Sequence, residues 1–193
     1  MSKATEIMTI HITFQKLTTH HFPLLMKWLE TPHVKKWWDT EKLWSIECIH
    51  QKYDSYVQGY KTLATNASKA RLTGPIHAHI IYADEKPIGY IQFYNAQDFP
   101  REPAQDLCLL PHNCAAIDWY IGDPDYLGKG IGPNALIAFL TEYVFPTFDA
   151  VFVDPDTANT NAIRAYEKAG FKTVRLVDNG SITWMLYAPT IEV

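Results

Sequence analysis

Cysteine, blocks of one charge and long apolar runs are all scarce in this sequence. The 193 residues include three cysteines, whose odd number and spacing match neither a disulfide framework nor a metal site. No apolar run approaches the roughly 18 residues of a membrane span. Residues 1–14 lack the apolar core and the cleavage site of a signal peptide. We therefore expect a cytoplasmic protein that binds no metal and does not enter a membrane.

The charge balance of the chain excludes a further class of partner. The net charge is −4, and no block of lysine and arginine provides the basic face that nucleic acid needs. A mildly acidic protein suits a cationic small molecule better than an anionic one. Hydrophobic residues make up 47% of the chain and charged residues 20%, as in ordinary globular proteins. This length predicts a single domain over 1–193, present as a monomer or homodimer.

Apolar residues recur with strand or helix periods along most of the chain. The first strand covers 10–17, and Thr19 caps a helix that has Pro23 in its first turn and ends at Pro32. This order of elements predicts a mixed α/β fold with one central sheet and helices on its faces. The other predicted elements are a helix over 45–58, a loop over 61–75, a hairpin of strands 77–83 and 88–96, an irregular stretch over 97–114, a strand over 115–122, a helix over 131–145, a strand over 150–154, a helix over 159–170 and a hairpin through Asn179-Gly180.

Residues 127–132, LGKGIG, place three glycines where a predicted helix begins. A helix start offers unpaired N–H groups and a partial positive charge, and phosphates bind there readily. Glycines let an anion approach the backbone closely, and Lys129 adds a positive charge. The sequence has no GxxxxGK[ST] motif and LGKGIG does not fit GxGxxG, so neither common nucleotide loop is indicated. The alternative is a tight turn between strand and helix that binds nothing.

Three other features indicate a ligand site. Asp118 lies inside an apolar strand, where a carboxylate is costly unless it faces a cleft, forms a salt bridge or lies at an exposed edge. Tyr166 falls on the helix after the next strand, either in the core or at the same end of the sheet as Asp118. Trp37 and Trp38 are hard to bury together because adjacent side chains point in different directions. We expect one of them to line a pocket.

The chain resembles the GCN5-related N-acetyltransferase superfamily through two linked motifs, and its aminoglycoside 6′-N-acetyltransferase branch over most of its length. The resemblance implies an α/β fold with a single mixed, mostly antiparallel central sheet flanked by helices. It also implies acetyl-CoA as co-substrate and acetylation of the 6′-amine of an aminoglycoside by direct attack on the thioester. The matching segments are LGKGIG, with Leu127 where Arg or Gln is usual; the helix motif of Asn159, Ala162, Tyr166, Lys168, Gly170 and Phe171; and LTTHHFPLLMKWLETPHVKKWW (17–38), KPIGYIQFY, AIDWYIG and VDPDTAN.

By this resemblance, Asp118 is the general base toward the acceptor amine, and Tyr166 protonates the departing thiolate. Backbone groups of 119–121 pair with the pantetheine amides, and the glycine loop holds the pyrophosphate. The implied acceptor-binding residues are Trp38, Tyr53, Asp98, Asp118 and Asp154. The implied acetyl-CoA-binding residues are Trp119, Tyr120, Ile121, Leu127, Gly128, Lys129, Gly130, Ile131, Gly132, Pro133, Asn159 and Lys168.

Two stretches depart from the aminoglycoside branch and keep other acceptors open. Residues 61–75 are longer than expected, and 97–114 is more apolar, which fits a dimer contact or a less cationic acceptor. Glu102 and Asp106 either add to an acidic cleft or lie in a solvated loop. The alternative acceptors are a siderophore precursor of the hydroxylysine type, a polyamine or a protein N-terminus. A CoA-binding module without turnover is the third hypothesis.

Overall fold

The computed structural model describes residues 10–64, 71–99 and 107–189. The helices are α1 (Phe22–Leu29), α2 (Pro32–Lys35), α3 (Ile46–Val57), α4 (Ile131–Phe139) and α5 (Thr160–Lys168). The strands are β1 (Ile12–Lys16), β2 (Tyr60–Ala64), β3 (Arg71–Pro75), β4 (His77–Ala83), β5 (Lys86–Asn95), β6 (Cys114–Ile121), β7 (Ala150–Val153), β8 (Lys172–Val177) and β9 (Ile182–Tyr187).

A seven-stranded sheet forms the centre of the molecule, in the order β1-β4-β5-β6-β7-β9-β8. Neighbouring strands are antiparallel except for β6 and β7, which run parallel. A parallel pair needs a crossover connection, and α4 provides it. The predicted mixed, mostly antiparallel α/β sheet flanked by helices is confirmed.

Helices cover both faces of this sheet. On one face, α1 and α3 bury Trp28 and Tyr53 in the same cluster as Tyr90, and on the other Phe139 of α4 packs against Phe14 of β1. Burial of one such large apolar side chain contributes roughly 1.5–3 kcal/mol, so the two layers hold the sheet from both sides. No helix in the described ranges has both the length and the apolar character needed to cross a bilayer.

The first helix differs from the prediction at both ends. A 3-10 turn over Thr19–His21 precedes it, and Thr18 rather than Thr19 is the capping residue. The helix ends at Leu29, before Pro32. Pro32 instead begins α2, because proline suits a first helical position where no N–H is required.

The predicted loop over 61–75 was wrong, because β2 and β3 pair there as a second, antiparallel sheet. Thr62 lies opposite Thr73, and their hydroxyl oxygens are 3.1 Å apart. The segment shows no apolar–polar alternation, so cross-strand contacts rather than periodicity specify the pairing. Residues 65–70, which connect the two strands, lie outside the described ranges.

The helix predicted over 131–145 changes its hydrogen-bond pattern part of the way along. It is α-helical to Phe139 and continues as a π-type turn over Leu140–Val144. The Thr141 hydroxyl donates to the Ile137 carbonyl at 2.9 Å. The other predicted helices and strands agree with the structure to within a few residues, and residues 100–106 of the predicted irregular stretch lie outside the described ranges.

Candidate active site

A cleft opens where two neighbouring strands of the sheet separate. β6 and β7 pair only at Cys114–Ala116 with Ala150–Phe152. β6 continues to Ile121, and no described strand pairs with this edge beyond Ala116. The cleft has a volume of about 730 Å³, and its walls are β6, the glycine loop, α5 and residues 33–38.

The free edge of β6 presents backbone groups to the cleft. The Gly122 N–H donates to the Ile88 carbonyl of the neighbouring β5 edge at 2.8 Å. Hydrogen bonds alternate along an antiparallel pair, so the Tyr120 amide also points toward β5. The backbone groups of Trp119 and Ile121 therefore point into the cleft. Within the predicted 119–121 segment, these two residues, and not Tyr120, offer amides to a ligand.

Aromatic side chains form the wall opposite the glycine loop. The His33 Nε2–H donates to the Ile121 carbonyl at 2.9 Å, which fastens α2 to the end of β6. Both Trp37 and Trp38 line the cleft. Trp38 makes an edge-on contact with the Tyr120 ring, their centroids 5.0 Å apart.

The three glycines of the loop have two different roles. Gly128 and Gly130 have φ values of 71° and 75°, and a residue with a Cβ adopts this left-handed conformation at a cost of roughly 1–2 kcal/mol. No described atom lies within 4 Å of the position that a side chain would take at either residue. Gly132 differs, because an added methyl group would lie 3.0 Å from the Trp119 ring. Two glycines thus shape an open loop at the start of α4, and the third accommodates an indole.

Helix α5 forms the wall facing β6. The Asn159 side chain caps it by accepting from the Ala162 N–H at 3.2 Å. Tyr166 is buried, and its ring packs edge-on against the Trp119 ring at 6.2 Å between centroids. Asn159, Tyr166 and Lys168 all line the cleft. The cap therefore fixes the first turn of α5, and with it the position of the helix face that lies toward β6.

A chain of hydrogen bonds orients the Asp118 carboxylate. Asp118 Oδ2 accepts from Gln92 Nε2 at 2.8 Å, and Gln92 Oε1 accepts from the Tyr90 hydroxyl at 2.6 Å. Gln92 and Tyr90 are buried, whereas Asp118 is half-buried. Gln92 has no freedom to turn away because both ends of its amide are bonded, so the carboxylate is held in one orientation.

Two carboxylates act electrostatically on the Tyr166 hydroxyl. Burial, followed by the negative charge of Asp118 and then that of Asp154, raises the pKa of Tyr166 well above its usual range, and hydrogen bonding at Trp119 opposes this in part. Tyr166 is therefore a neutral hydrogen-bond donor at physiological pH. The charge of Asp118 therefore acts on the hydroxyl of Tyr166, although the sequence places the two residues 48 positions apart.

The structure brings most of the predicted site residues to this cleft and separates a few from it. Ile131 is buried, Lys129 is exposed at the loop surface near Tyr126, and Asp154 is half-buried after β7. Asp118 is half-buried in β6, beside Trp119, and is not one of the residues that line the cleft. Glu102 and Asp106 lie outside the described residues. The predicted residues that line the cleft are Trp38, Trp119, Tyr120, Ile121, Leu127, Gly128, Gly130, Gly132, Pro133, Asn159, Tyr166 and Lys168.

Two further predicted acceptor-binding residues lie apart from the cleft. Tyr53 is fully buried between α3 and the sheet. Asp98 lines a second cavity of about 430 Å³ with His79 and Tyr143. Asp98 packs against Gly74 of β3, where an added methyl group would lie 3.1 Å from Asp98 Oδ2. The β2–β3 hairpin, which the periodicity did not predict, is therefore a neighbour of the Asp98 carboxylate.

Sequence reasoning missed Gln92, His33 and the Asp39–Lys52 ion pair. Gln92 carried a signal, since an amide within the apolar strand IGYIQFY needs a buried partner. His33 and Asp39 lie in short connections without periodicity, so only the fold could place them. The Lys52 ammonium is 2.6 Å from Asp39 Oδ2.

Comparison with known proteins identifies relatives for most of the chain. The profile of a family described as an acetyltransferase (GNAT) domain matches residues 18–179. The aminoglycoside N(6′)-acetyltransferase type 1 of Klebsiella pneumoniae is 28% identical over 167 residues, which are 83% of this chain and 74% of that protein.

Solved structures give the same picture. A structure of AAC(6′)-Ib in complex with paromomycin and acetyl-CoA is 26% identical, with a TM-score of 0.71 over 92% of this chain and 93% of that one. A structure of this aminoglycoside acetyltransferase with coenzyme A and kanamycin is 25% identical, with a TM-score of 0.70 over 93% and 95% of the two chains.

Proposed function

We propose that this chain, which belongs to the acetyltransferase (GNAT) domain family, transfers the acetyl group of acetyl-CoA to the 6′-amine of an aminoglycoside. The observation that carries the proposal is the oriented Asp118 carboxylate of β6, whose negative charge reaches the Tyr166 hydroxyl in the wall of the cleft. The similarity to aminoglycoside acetyltransferases supports the choice of acceptor. We assign the activity to one domain spanning 1–193, acting in the cytoplasm, where acetyl-CoA is available.

The residues of the cleft fit acetyl-CoA. The open loop at Gly128 and Gly130 leaves room for a pyrophosphate at the start of α4, where helix N–H groups favour an anion. The free edge of β6 at Trp119 and Ile121 can form hydrogen bonds with the secondary amides of pantetheine, as it would with a neighbouring strand. Lys168 at the cleft wall adds a cation for a phosphate. When bound, acetyl-CoA supplies the thioester carbonyl that an amine attacks.

Asp118 prepares the acceptor amine. An alkylammonium has no lone pair with which to attack a carbonyl, so it first loses a proton to a base. The Asp118 carboxylate attracts the cation and accepts this proton, directly or through a water molecule. Gln92 keeps Asp118 Oδ2 occupied by a donated hydrogen bond, which leaves Oδ1 to face the ammonium. Asp154 adds a second negative charge on the same side.

Tyr166 donates a proton to the departing thiolate, and the charge of Asp118 affects how readily it does so. Burial, and after it the charge of ionised Asp118, raises the pKa of the Tyr166 hydroxyl and makes it a weak acid. Once Asp118 takes the proton of the amine, the charge disappears and the pKa of Tyr166 falls. Tyr166 therefore becomes a better proton donor at the moment when a thiolate forms. The nitrogen, once bonded to the acetyl carbon, loses its second proton to the Tyr166 phenolate, which restores the neutral hydroxyl, and Asp118 releases its proton to solvent.

An acceptor screen with thiol detection tests the proposed function. The purified chain with acetyl-CoA is offered kanamycin, tobramycin, spermidine and N6-hydroxylysine, and the release of CoA thiol is measured. We expect turnover with the two aminoglycosides and background rates with the other amines. Turnover of spermidine or N6-hydroxylysine alone would move the activity to those acceptors. Saturable acetyl-CoA binding without turnover of any amine would indicate a CoA-binding module.

A further inference from the structure

An internal lysine occupies a built cation site beside the cleft. The Lys52 ammonium lies 2.6 Å from Asp39 Oδ2. It also lies over the rings of Trp38, Trp44 and Tyr53, at 5.8, 5.3 and 5.5 Å from their centroids. A carboxylate together with several aromatic faces is the arrangement that proteins use to bind an ammonium ligand.

This cation site borders the wall of the cleft that contains Trp37 and Trp38, which we call the acceptor side. Trp38 belongs to both, because its ring lies below the Lys52 ammonium and also lines the cleft, where it contacts the ring of Tyr120. Tyr120 and Tyr53 are each more than nine-tenths buried. Neither hydroxyl has a completed hydrogen bond within the described part of the chain, although the Trp38 indole lies near that of Tyr53. Buried hydroxyls without partners indicate that a polar ligand or water completes this region.

The Asp39 carboxylate reaches these hydroxyls electrostatically. Its negative charge adds to burial in raising the pKa of both Tyr120 and Tyr53. Asp39 itself has a φ of 47°, an uncommon value for a residue other than glycine. The backbone therefore holds Asp39 in a strained conformation that presents its carboxylate to Lys52 and toward the two tyrosines.

We propose that Lys52 is a specificity-determining residue: its ammonium occupies an ammonium subsite built from Asp39, Trp38, Trp44 and Tyr53 and so excludes one charged group of a polycationic acceptor. The inference rests on the proposed function, because it concerns the acceptor side of the same cleft. Lys52 makes no contact with the reacting amine. It limits how many further ammonium groups an acceptor binds, and it therefore acts on affinity rather than on chemistry.

The test removes the resident cation and leaves the site intact. Lys52→Met keeps an unbranched side chain over the rings and leaves the Asp39 carboxylate free. With kanamycin, which carries several ammonium groups, we expect KM to fall roughly 10-fold while kcat and the KM for acetyl-CoA stay unchanged. With 6-amino-6-deoxyglucose, which carries one, we expect no change.

Lys42→Met is the matched control. Lys42 also lies over the Trp44 ring, at 4.1 Å, but Asp39 Oδ2 is paired with Lys52. Loss of one positive charge near the cleft is thus the same in both variants. An equal fall in KM for Lys42→Met, or an equal fall for both acceptors with Lys52→Met, would overturn the proposal in favour of a general charge effect. Unchanged kinetics for kanamycin in Lys52→Met would also overturn it.

A binding experiment separates this inference from the proposed function. Tetramethylammonium, the probe, is titrated into each variant while tryptophan fluorescence is recorded. We expect saturable quenching in Lys52→Met, and none in the unaltered protein or in Lys52→Met combined with Asp39→Asn. This result would support the subsite even if no aminoglycoside were acetylated. Absence of quenching in a folded Lys52→Met would exclude the subsite even if aminoglycosides were good substrates.

Discussion

At the scale of single residues, Asp118 and Asp98 are two carboxylates on the same chain with different surroundings. Asp118 of β6 accepts a hydrogen bond from Gln92 of β5, whereas Asp98 lines the second cavity beside Gly74. Asp118→Asn preserves shape and an acceptor for Gln92, but it removes the base. We expect kcat to fall by roughly 10²–10⁴ and the dissociation constant of acetyl-CoA, measured by calorimetry, to change little.

Asp98→Asn is the control for this prediction, because it makes the same chemical change at the carboxylate that lines the other cavity. We expect it to keep both kcat and acetyl-CoA affinity. Equal turnover by Asp118→Asn and the unaltered protein would remove Asp118 as the base. A large loss with Asp98→Asn would instead return that residue to the acceptor site that the resemblance implied for it.

At the scale of elements, the glycine loop offers a test that separates backbone strain from ligand binding. Gly130 and Gly180 both have left-handed backbones, with φ values of 75° and 88°, and a methyl group would meet nothing within 4 Å at either. We expect Gly130→Ala and Gly180→Ala each to lower the free energy of unfolding by about 1 kcal/mol. Only Gly130→Ala should weaken acetyl-CoA binding, because Gly180 lies in the turn before β9.

Urea unfolding and calorimetric titration of acetyl-CoA measure the two effects separately. Loss of affinity in both variants would mean that destabilisation alone accounts for weaker binding. Unchanged affinity in Gly130→Ala would place the anion elsewhere than at the start of α4. The comparison thus tests whether acetyl-CoA affinity depends on the glycine loop itself or on the overall stability of the fold.

An element of the fold or site could be predicted only where its own sequence contained a periodic pattern or a capping motif. The α5 face was predictable because Asn159 and Tyr166 lie in one amphipathic segment with local capping. The hairpin β2–β3 was not, because Thr62 and Thr73 are polar residues that pair only once the chain has folded. The contact of Lys52 with Asp39 was not predictable either, since nothing near Lys52 in sequence shows that Asp39 lies 2.6 Å away. Contacts between distant segments are the part that periodicity cannot supply.

At the scale of the whole molecule, the protein has two unlike cavities. The cleft opens at the splayed strands, and the second cavity lies beside the π-type turn that follows α4. His79 is buried beside this second cavity, against the rings of Phe139 and Tyr143. Burial, together with the positive charges of His77 and Lys16, lowers the pKa of His79 to about 4. His79 is therefore folded into the protein as a neutral ring.

This neutral histidine predicts how global stability depends on pH. The unfolded chain protonates His79 below pH of about 6.5, whereas the folded protein does so only near pH 4. The contribution of His79 to stability is therefore complete above pH 6.5 and is lost as the pH falls toward 4. Since one pKa unit corresponds to about 1.4 kcal/mol, we expect the free energy of unfolding to fall by up to about 3 kcal/mol from this residue across the window.

Urea unfolding at pH 7 and at pH 4 measures that loss, and His79→Gln should reduce it. The glutamine lowers stability at both values of pH because it packs less well between Phe139 and Tyr143, but it cannot titrate. The matched control is His20→Gln, which makes the same chemical change at an exposed ring, and the loss of stability is compared between the two variants. An undiminished loss in His79→Gln would assign the acid sensitivity of the fold to other groups, and the second cavity would then have no part in it.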